Sequence, residues 1–447
     1  MPRARGAGLR RRGHRDSYAL STPRLVEHFF RHEYGRLVAM LSRRVGVQHL
    51  EAVEDAVQSA LMTALESWTV AGLPDNPSAW LFRVAHNDLV GELRQRSRRR
   101  RILDENGGEH VGAPEDGPGP LLAGEVQDDL LRMLFVCCDE AIPPESQLVL
   151  ALKTLCGFDV REIALRIFSS EANVYKRLER ARSRLREVPP RIDELTAEQY
   201  SSRLAEVHKI LYLLFTEGYL SSHAETAIRQ ELSDEAIRLA TILAEHPVGK
   251  VPETSALLAL MHLHAARITA RQDASGGLIL LAEQDRALWD QQKIQVGLSW
   301  LADSARGDVF SRYHAEAGIA AEHCLAPSFE ETRWDRVVEC YSLLEQIAPS
   351  ALHKLNRAVA VAEWQGPAAG LAVLEGLEPP SWLAGSYQWA AVLADLHRRC
   401  GHDDVARRYR DVAVKSAPTQ AVRELLQRRL QAGAVPADRV RPPVASP

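Results

Sequence analysis

FDVREIALRIFSSEANVYKRLERARSRLR, Phe158 to Arg186, is the stretch that decides the fold. Val160, Ile163, Ala164 and Ile167 recur at i, i+3, i+4 and i+7, which predicts a short helix from Val160 to Ile167 with one apolar stripe. Phe168, Ser169 and Ser170 then form a three-residue turn, and either serine can cap the next helix by accepting from its free N–H groups. The second helix puts Val174, Leu178, Ala181 and Leu185 on a buried side and crowds Lys176, Arg177, Arg180, Arg182, Arg184 and Arg186 onto the remainder. Small Ala164 lets the two helices cross closely. This is the pattern of a helix-turn-helix, whose second helix lies in a major groove with its first turn at the base edges. A basic helical hairpin on the surface of a bundle is the plainer reading of the same residues.

Charge is segregated along the 447 residues, although the net charge is only −4. Residues 1–103 carry +8, residues 104–131 carry −8 with no Lys or Arg, residues 132–191 carry +3 and the rest carries −7. A basic front and an acidic rear place nucleic-acid contacts in the first 190 residues. The length allows two to four domains. Cys137, Cys138, Cys156, Cys324, Cys340 and Cys400 include no CxxC pair, so reduced thiols in a cytosol are expected, with the adjacent Cys137 and Cys138 packed as small hydrophobes. The arginine-rich start has no apolar region behind it and no run of eighteen apolar residues occurs, so a cytoplasmic protein without a membrane span is expected.

Thr22-Pro23 is a cap with proline at the first helical position, and Leu25, Val26, Phe29, Phe30, Leu37, Val38 and Leu41 keep helical spacing to Gly46. A second helix, Leu50 to Trp68, buries Val53, Val57, Ala60, Leu61, Ala64, Leu65 and Trp68 and leaves Glu54, Asp55, Gln58 and Ser59 on its other side. After the loop GLPDNPS, Asn76-Pro77 starts a long third helix whose far end carries Arg94, Arg96, Arg98, Arg99, Arg100 and Arg101. Cations so dense repel one another, and a polyanion is their natural partner.

Asp55-Ala56-Val57-Gln58 with Trp68, then Ala79 to Ala85 with Asn87 and the Arg run, resembles region 2 of the extracytoplasmic-function group of sigma-70 family factors. Glu162-Ile163-Ala164, Ser170, Val174 and Leu178 to Arg182 resemble region 4 of that family. The chain departs from the pattern at Gly91-Glu92, where the family usually has an Asp after the third-helix Asn. The resemblance implies that Glu54, Asp55 and Gln58 dock on core RNA polymerase. It implies that Asp75, Asn76, Ser78, Trp80, Asn87, Arg94 and Arg98 meet the −10 DNA, with Trp80 also a core candidate. Ser169, Ser170, Glu171, Asn173, Lys176, Arg177, Arg180, Arg182 and Arg184 would meet the −35 DNA.

The expected fold is all-α, with two small helical DNA- and polymerase-binding domains and a C-terminal α-helical, tetratricopeptide-like repeat. The expected boundaries are a disordered basic tail (1–21), region 2 (22–103), an acidic flexible linker rich in Gly and Pro (104–124), region 4 (125–191), the helical extension (192–432) and a disordered tail (433–447). In the extension, Leu204 to Phe215, Asp234 to Glu245, Thr254 to Arg267 and a stretch from Glu283 read as helices. Trp334, Tyr341, Ala358 and Pro367, with Tyr409 after Tyr341, fit a 34-residue unit. LLFTEGY, EQDRALWD and PSALHKLNRAVAVAEWQGPAAGL resemble the long helical extension of one sigma-factor subgroup. Glu217, Glu283, Asp285, Asp290, His262 and His264 raise the question of an enzyme, but the two histidines fall on different helix faces and no P-loop, GxSxG or HExxH occurs. Neither catalysis nor a metal or other cofactor is expected. The partners expected are core RNA polymerase, promoter DNA and a protein or ligand on the extension. The competing reading is a helix-turn-helix regulator with a repeat-type sensor or scaffold domain that works without polymerase.

Overall fold

The computed structural model describes residues 22–103, 123–167, 169–187, 196–220, 228–273 and 277–430. The basic and C-terminal tails, Phe168 and all but the last two residues of the acidic linker lie outside that set. Helix α1 (Thr22–Val45) ends at Gly46, whose φ of 90° halts the helix. A 3₁₀ turn leads into α2 (Leu50–Ala71), and Asn76 caps α3 (Pro77–Leu103) by accepting from the Ala79 N–H at 3.0 Å. Leu37, Val38, Leu41, Val53, Val57, Ala60 and Ala64 are buried as their spacing predicts, whereas Leu65 is 41% exposed. Leu65 sits at the edge of the stripe, next to exposed Glu66.

Helices α4 (Ala123–Cys137) and α5 (Pro144–Thr154) precede the helix-turn-helix, α6 (Val160–Arg166) and α7 (Glu171–Glu187). The φ of +64° at Gly157 ends α5 as the sequence indicates. Val174, Leu178, Ala181 and Leu185 are all buried, and the Asn173 N–H donates to Ser170 Oγ. Cys137, Cys138 and Cys156 are buried, and burial pushes the Cys137 thiol up, as expected of packed rather than reactive cysteines.

The extension begins with α8 (Ala197–Tyr219), opened by a capping box at Thr196 and Gln199, and continues with α9 (Gln230–Glu245) and α10 (Pro252–Ala265). Gly218 lets α9 approach closely, since a Cβ there would collide with the Ser233 nitrogen. No continuous helix begins at Glu283. Leu281–Glu283 and Arg286–Leu288 are 3₁₀ turns instead, because Asp285 and Asp290 accept from the Ala287 and Lys293 N–H groups and restart the chain at each cap. Then follow α11 (Gln291–Ser304), α12 (Arg312–Leu325), α13 (Trp334–Ile347), α14 (Ala351–Gln365), α15 (Pro367–Leu374), α16 (Ser381–Ala384), α17 (Tyr387–Arg399), α18 (Asp403–Lys415) and α19 (Gln420–Leu430). Helices α13, α15 and α18 begin roughly one 34-residue unit apart, each followed by a partner in α14, α17 and α19. Among the described residues the fold is all-α, with one isolated antiparallel bridge between Gln272 and Leu278.

Most buried side chains from Tyr34 to Ala321 make a single continuous core, while the later helix pairs have small cores of their own, one taking in Ala315 and Ile319 and another Leu278. Phe135 of α4 meets Tyr200 of α8 edge-on at 4.7 Å. Arg203 of α8 donates to Asp139 at 2.6 Å and to the Phe135 carbonyl at 3.1 Å, and Arg229 pairs with Glu162 of α6 at 3.0 Å. The start of the extension is thus built against the helix-turn-helix unit.

Candidate nucleic-acid and polymerase interface

Three surfaces follow from this packing. On α2, residues Asp55, Gln58, Ser59, Met62 and Leu65 follow helical spacing along one exposed face, and Asp55 and Gln58 stand as expected. Met62, 59% exposed, and Leu65 add to that face an apolar patch that the sequence reading does not assign. Spacing from Asp55 and Gln58 is the signal that could have found it. Leu65 also falls four residues after Leu61 and one after Ala64, so the same spacing is compatible with the core.

Glu54 is a correction to the docking face. It is buried, with its carboxylate accepting from Thr154 Oγ1 at 2.9 Å and paired with Arg182 of α7. Arg182 therefore does not stand with the exposed arginines either. Burial works against its charge, but Glu54 and then Glu51, 3.5 Å away, outweigh that and raise its pKa. A charge pair in so dry a place needs both partners.

On α3, Trp80, Asn87 and Arg94 stand seven residues apart with Arg98 four further on, and they share a face about 27 Å long by helical rise. Asp75, Asn76, Asn87, Arg94 and Arg98 are exposed, and Ser78 is half-buried. Trp80 packs edge-on against Trp68 with centroids 5.4 Å apart, which is a core role. Asn76 spends its side-chain oxygen on the helix cap.

On α7, Ser170, Glu171, Asn173, Lys176 and Arg180 are exposed, with Ser169, Arg177 and Arg184 half-buried. Tyr175, 60% exposed between Asn173 and Lys176, joins this surface. A search for cations passes over it, although an aromatic ring off the apolar stripe is the available signal. The outward half of α7 thus offers hydrogen-bonding, aromatic and cationic groups, while its C-terminal half turns Arg182 and Arg186 toward Glu51 and Glu54 of α2.

The model of sigma-70 region 2 matches residues 29–99, which covers much of α1, all of α2, the following loop and α3 nearly to its end. The chain belongs to the sigma-70 family. Residues 203–305 match a family of unknown function (DUF6596), consistent with a sigma factor that carries a long helical extension. An uncharacterized protein of Rhizobium meliloti (strain 1021) is 34% identical over 371 residues, which span 83% of this chain and 87% of that one. No solved structure matches. Region 2 makes this a promoter-recognition protein of the sigma type, acting with core RNA polymerase and promoter DNA. Among the described residues no helix is long and apolar enough to cross a membrane.

Proposed function

We propose that this chain is an extracytoplasmic-function type sigma factor that binds core RNA polymerase and directs initiation through two separate DNA contacts. The reading rests chiefly on one observation: the residues matching region 2 fold into packed helices on which α2 exposes Asp55 and Gln58 and α3 exposes Asn87, Arg94 and Arg98. In this reading Asp55, Gln58, Met62 and Leu65 dock on the polymerase. Asp75, Asn76, Ser78, Asn87, Arg94 and Arg98 hold one strand of the melted −10 element, where extruded bases need pockets and polar partners. Trp80, on the same face of α3, packs on Trp68 beside that surface.

The helix-turn-helix serves as region 4. Ser169, Ser170, Glu171, Asn173, Tyr175, Lys176 and Arg177 face the −35 duplex, and Arg180 and Arg184 hold phosphates. The extension from residue 192 to 432 regulates, with its helix pairs as tetratricopeptide-like units that present a binding surface. The test is run-off transcription with core enzyme on genomic fragments, alongside co-purification with core. Replacing Asp55 and Gln58 together by Ala should leave the fold intact and weaken core binding. An unchanged core affinity would remove the docking role, and failure of the wild-type chain to co-purify would favour the polymerase-independent regulator.

A further inference from the structure

We propose that Arg267, Arg271 and Arg286, together with His264 and His323, form a binding site for the phosphoryl group of a small molecule within the part of the extension that matches the family of unknown function and the helix beside it. Such a site stands independently of the promoter reading. This chain treats buried arginine in two ways. Arg182, Arg203 and Arg229 each meet a carboxylate, in Glu54, Asp139 and Glu162. Arg267 is only 6% exposed, yet neither it nor Arg271 nor Arg286 pairs with any carboxylate among the described residues. A guanidinium cannot shed its charge to escape that cost.

The three are drawn together by aromatic rings. The Arg267 and Arg286 guanidiniums lie 5.3 and 4.4 Å from the centre of the Trp289 ring, and Arg271 lies 3.6 Å over Tyr219, itself 4.8 Å from the His264 ring. The acids of the same loops are already engaged. Asp273, Glu283, Asp285 and Asp290 accept from the backbone N–H groups of Gly277, Leu280, Ala287 and Lys293. Glu330, exposed, acts on the Arg286 charge without forming an ion pair with it.

Helix ends supply part of the compensation. Arg286 donates to the His323 and Ala326 carbonyls at 2.6 and 2.7 Å where α12 ends, Arg271 donates to the Tyr219 carbonyl where α8 ends, and Arg267 follows the last turn of α10. Each helix C-terminus carries roughly half a negative charge, so the two that Arg286 and Arg271 meet offset about one charge of the three. The remainder, about two positive charges, is balanced by the charge of a phosphate monoester near neutral pH.

Unsatisfied nitrogens point to the same conclusion. Arg267 Nε, Arg286 Nη2, His264 Nδ1, His323 Nδ1 and Trp289 Nε1 are buried without hydrogen-bond partners. Burial, then the neighbouring arginines, hold both imidazoles neutral, with His323 drawn down to about 3, so the histidines add hydrogen-bonding nitrogens without adding charge. Guanidinium forks match phosphate oxygens in pairs. The Trp289 and Tyr219 rings are engaged by guanidiniums, which leaves little for a base to stack on, and Arg286, half-exposed, gives the cluster its access to solvent.

The test uses the full chain in chloride buffer free of phosphate and sulfate. Titration calorimetry with inorganic phosphate should show one saturable site and a raised Tm, with acetate and chloride at matched ionic strength giving neither. Arg267→Gln should bind phosphate at least tenfold more weakly, and Arg410→Gln, on the surface beside Asp411, should match wild type. Should Arg267→Gln fail to fold, Arg286→Lys, which keeps the charge and loses the fork, should still weaken binding several-fold. Equal responses to phosphate and chloride, or wild-type binding by whichever of these variants folds, would overturn the site. A phosphoserine peptide that binds more tightly than a soluble phosphate monoester would overturn the small-molecule assignment.

Discussion

Arg180 and Arg182 are two positions apart on α7 and face opposite demands. Arg180 is exposed with its charge directed outward, so Arg180→Ala should weaken DNA binding on every sequence and lower the salt slope by about one unit, measured by fluorescence anisotropy across a salt series. Arg182→Ala would strand the Glu54 carboxylate, whose side chain is 2% exposed, and breaking such a pair from one side costs about 3–5 kcal/mol. Its signature should be a lowered urea midpoint. A DNA defect with unchanged stability would mean that Arg182 is a phosphate contact after all. His208 gives a pH prediction. It is buried against Thr254 Oγ1 at 2.8 Å, and burial pulls it down to about 4. A histidine whose folded pKa lies below its unfolded value of about 6.5 contributes stability that is complete above that value and is lost as pH falls toward 4. Between pH 7 and 5 most carboxylates stay charged, so the fall in urea midpoint should be histidine-driven, and His208→Gln should flatten it measurably.

At the scale of elements, two glycines in helices make opposite forecasts. A Cβ on Gly35 of α1 would collide with the Leu155 carbonyl oxygen, so this glycine sets how near region 2 lies to the end of α5. Gly35→Ala gains up to about 1 kcal/mol of helix propensity but overpacks a contact with backbone, which costs about 1–3 kcal/mol, and the net should be destabilising. Gly91→Ala meets nothing within 4 Å and should stabilise by about 0.5–1 kcal/mol. Thermal melts of the two variants should move in opposite directions. Helix periodicity makes α1 to α10 legible in the sequence, and the four-residue stripe of α7 gives its buried side without error. What periodicity cannot supply is a partner. Glu54 reads as solvent-facing because nothing in α2 reveals that Thr154 and Arg182, about a hundred residues on, converge on it. The two 3₁₀ turns beyond Leu280 escape the sequence for a local reason, since Asp285 and Asp290 look like helix-compatible charge until their caps are seen.

For the molecule as a whole, the division of cores decides what truncation would measure. Ending the chain after Arg191 removes Tyr200, Arg203 and Arg229, which cover Phe135, pair with Asp139 and pair with Glu162. The truncated chain should therefore lose transcription together with helix-turn-helix stability, readable as a lower and broader circular-dichroism melt. A truncated chain that melts as sharply as the first unit of the full protein and transcribes at its rate would show that the extension is dispensable to both. The sigma-type character is legible from charge segregation and from motifs of short range, because region 2 carries its signature within a few turns of helix. The arginine cluster is not, because its members come from separate turns that only the folded extension gathers.

The core that runs unbroken from Tyr34 to Ala321 also bears on how such a chain can be recombined. Grafting the first 190 residues onto another regulator would expose the Phe135 surface, and grafting α8 onward onto another sigma factor would offer Arg203 and Arg229 no carboxylates to meet. A cut after α12 keeps that core whole but divides the small cores that Ala315 and Ile319 share with α13 and that Leu278 shares with α17 to α19, so the unit of exchange is the whole run of helices and not the DNA-binding half alone.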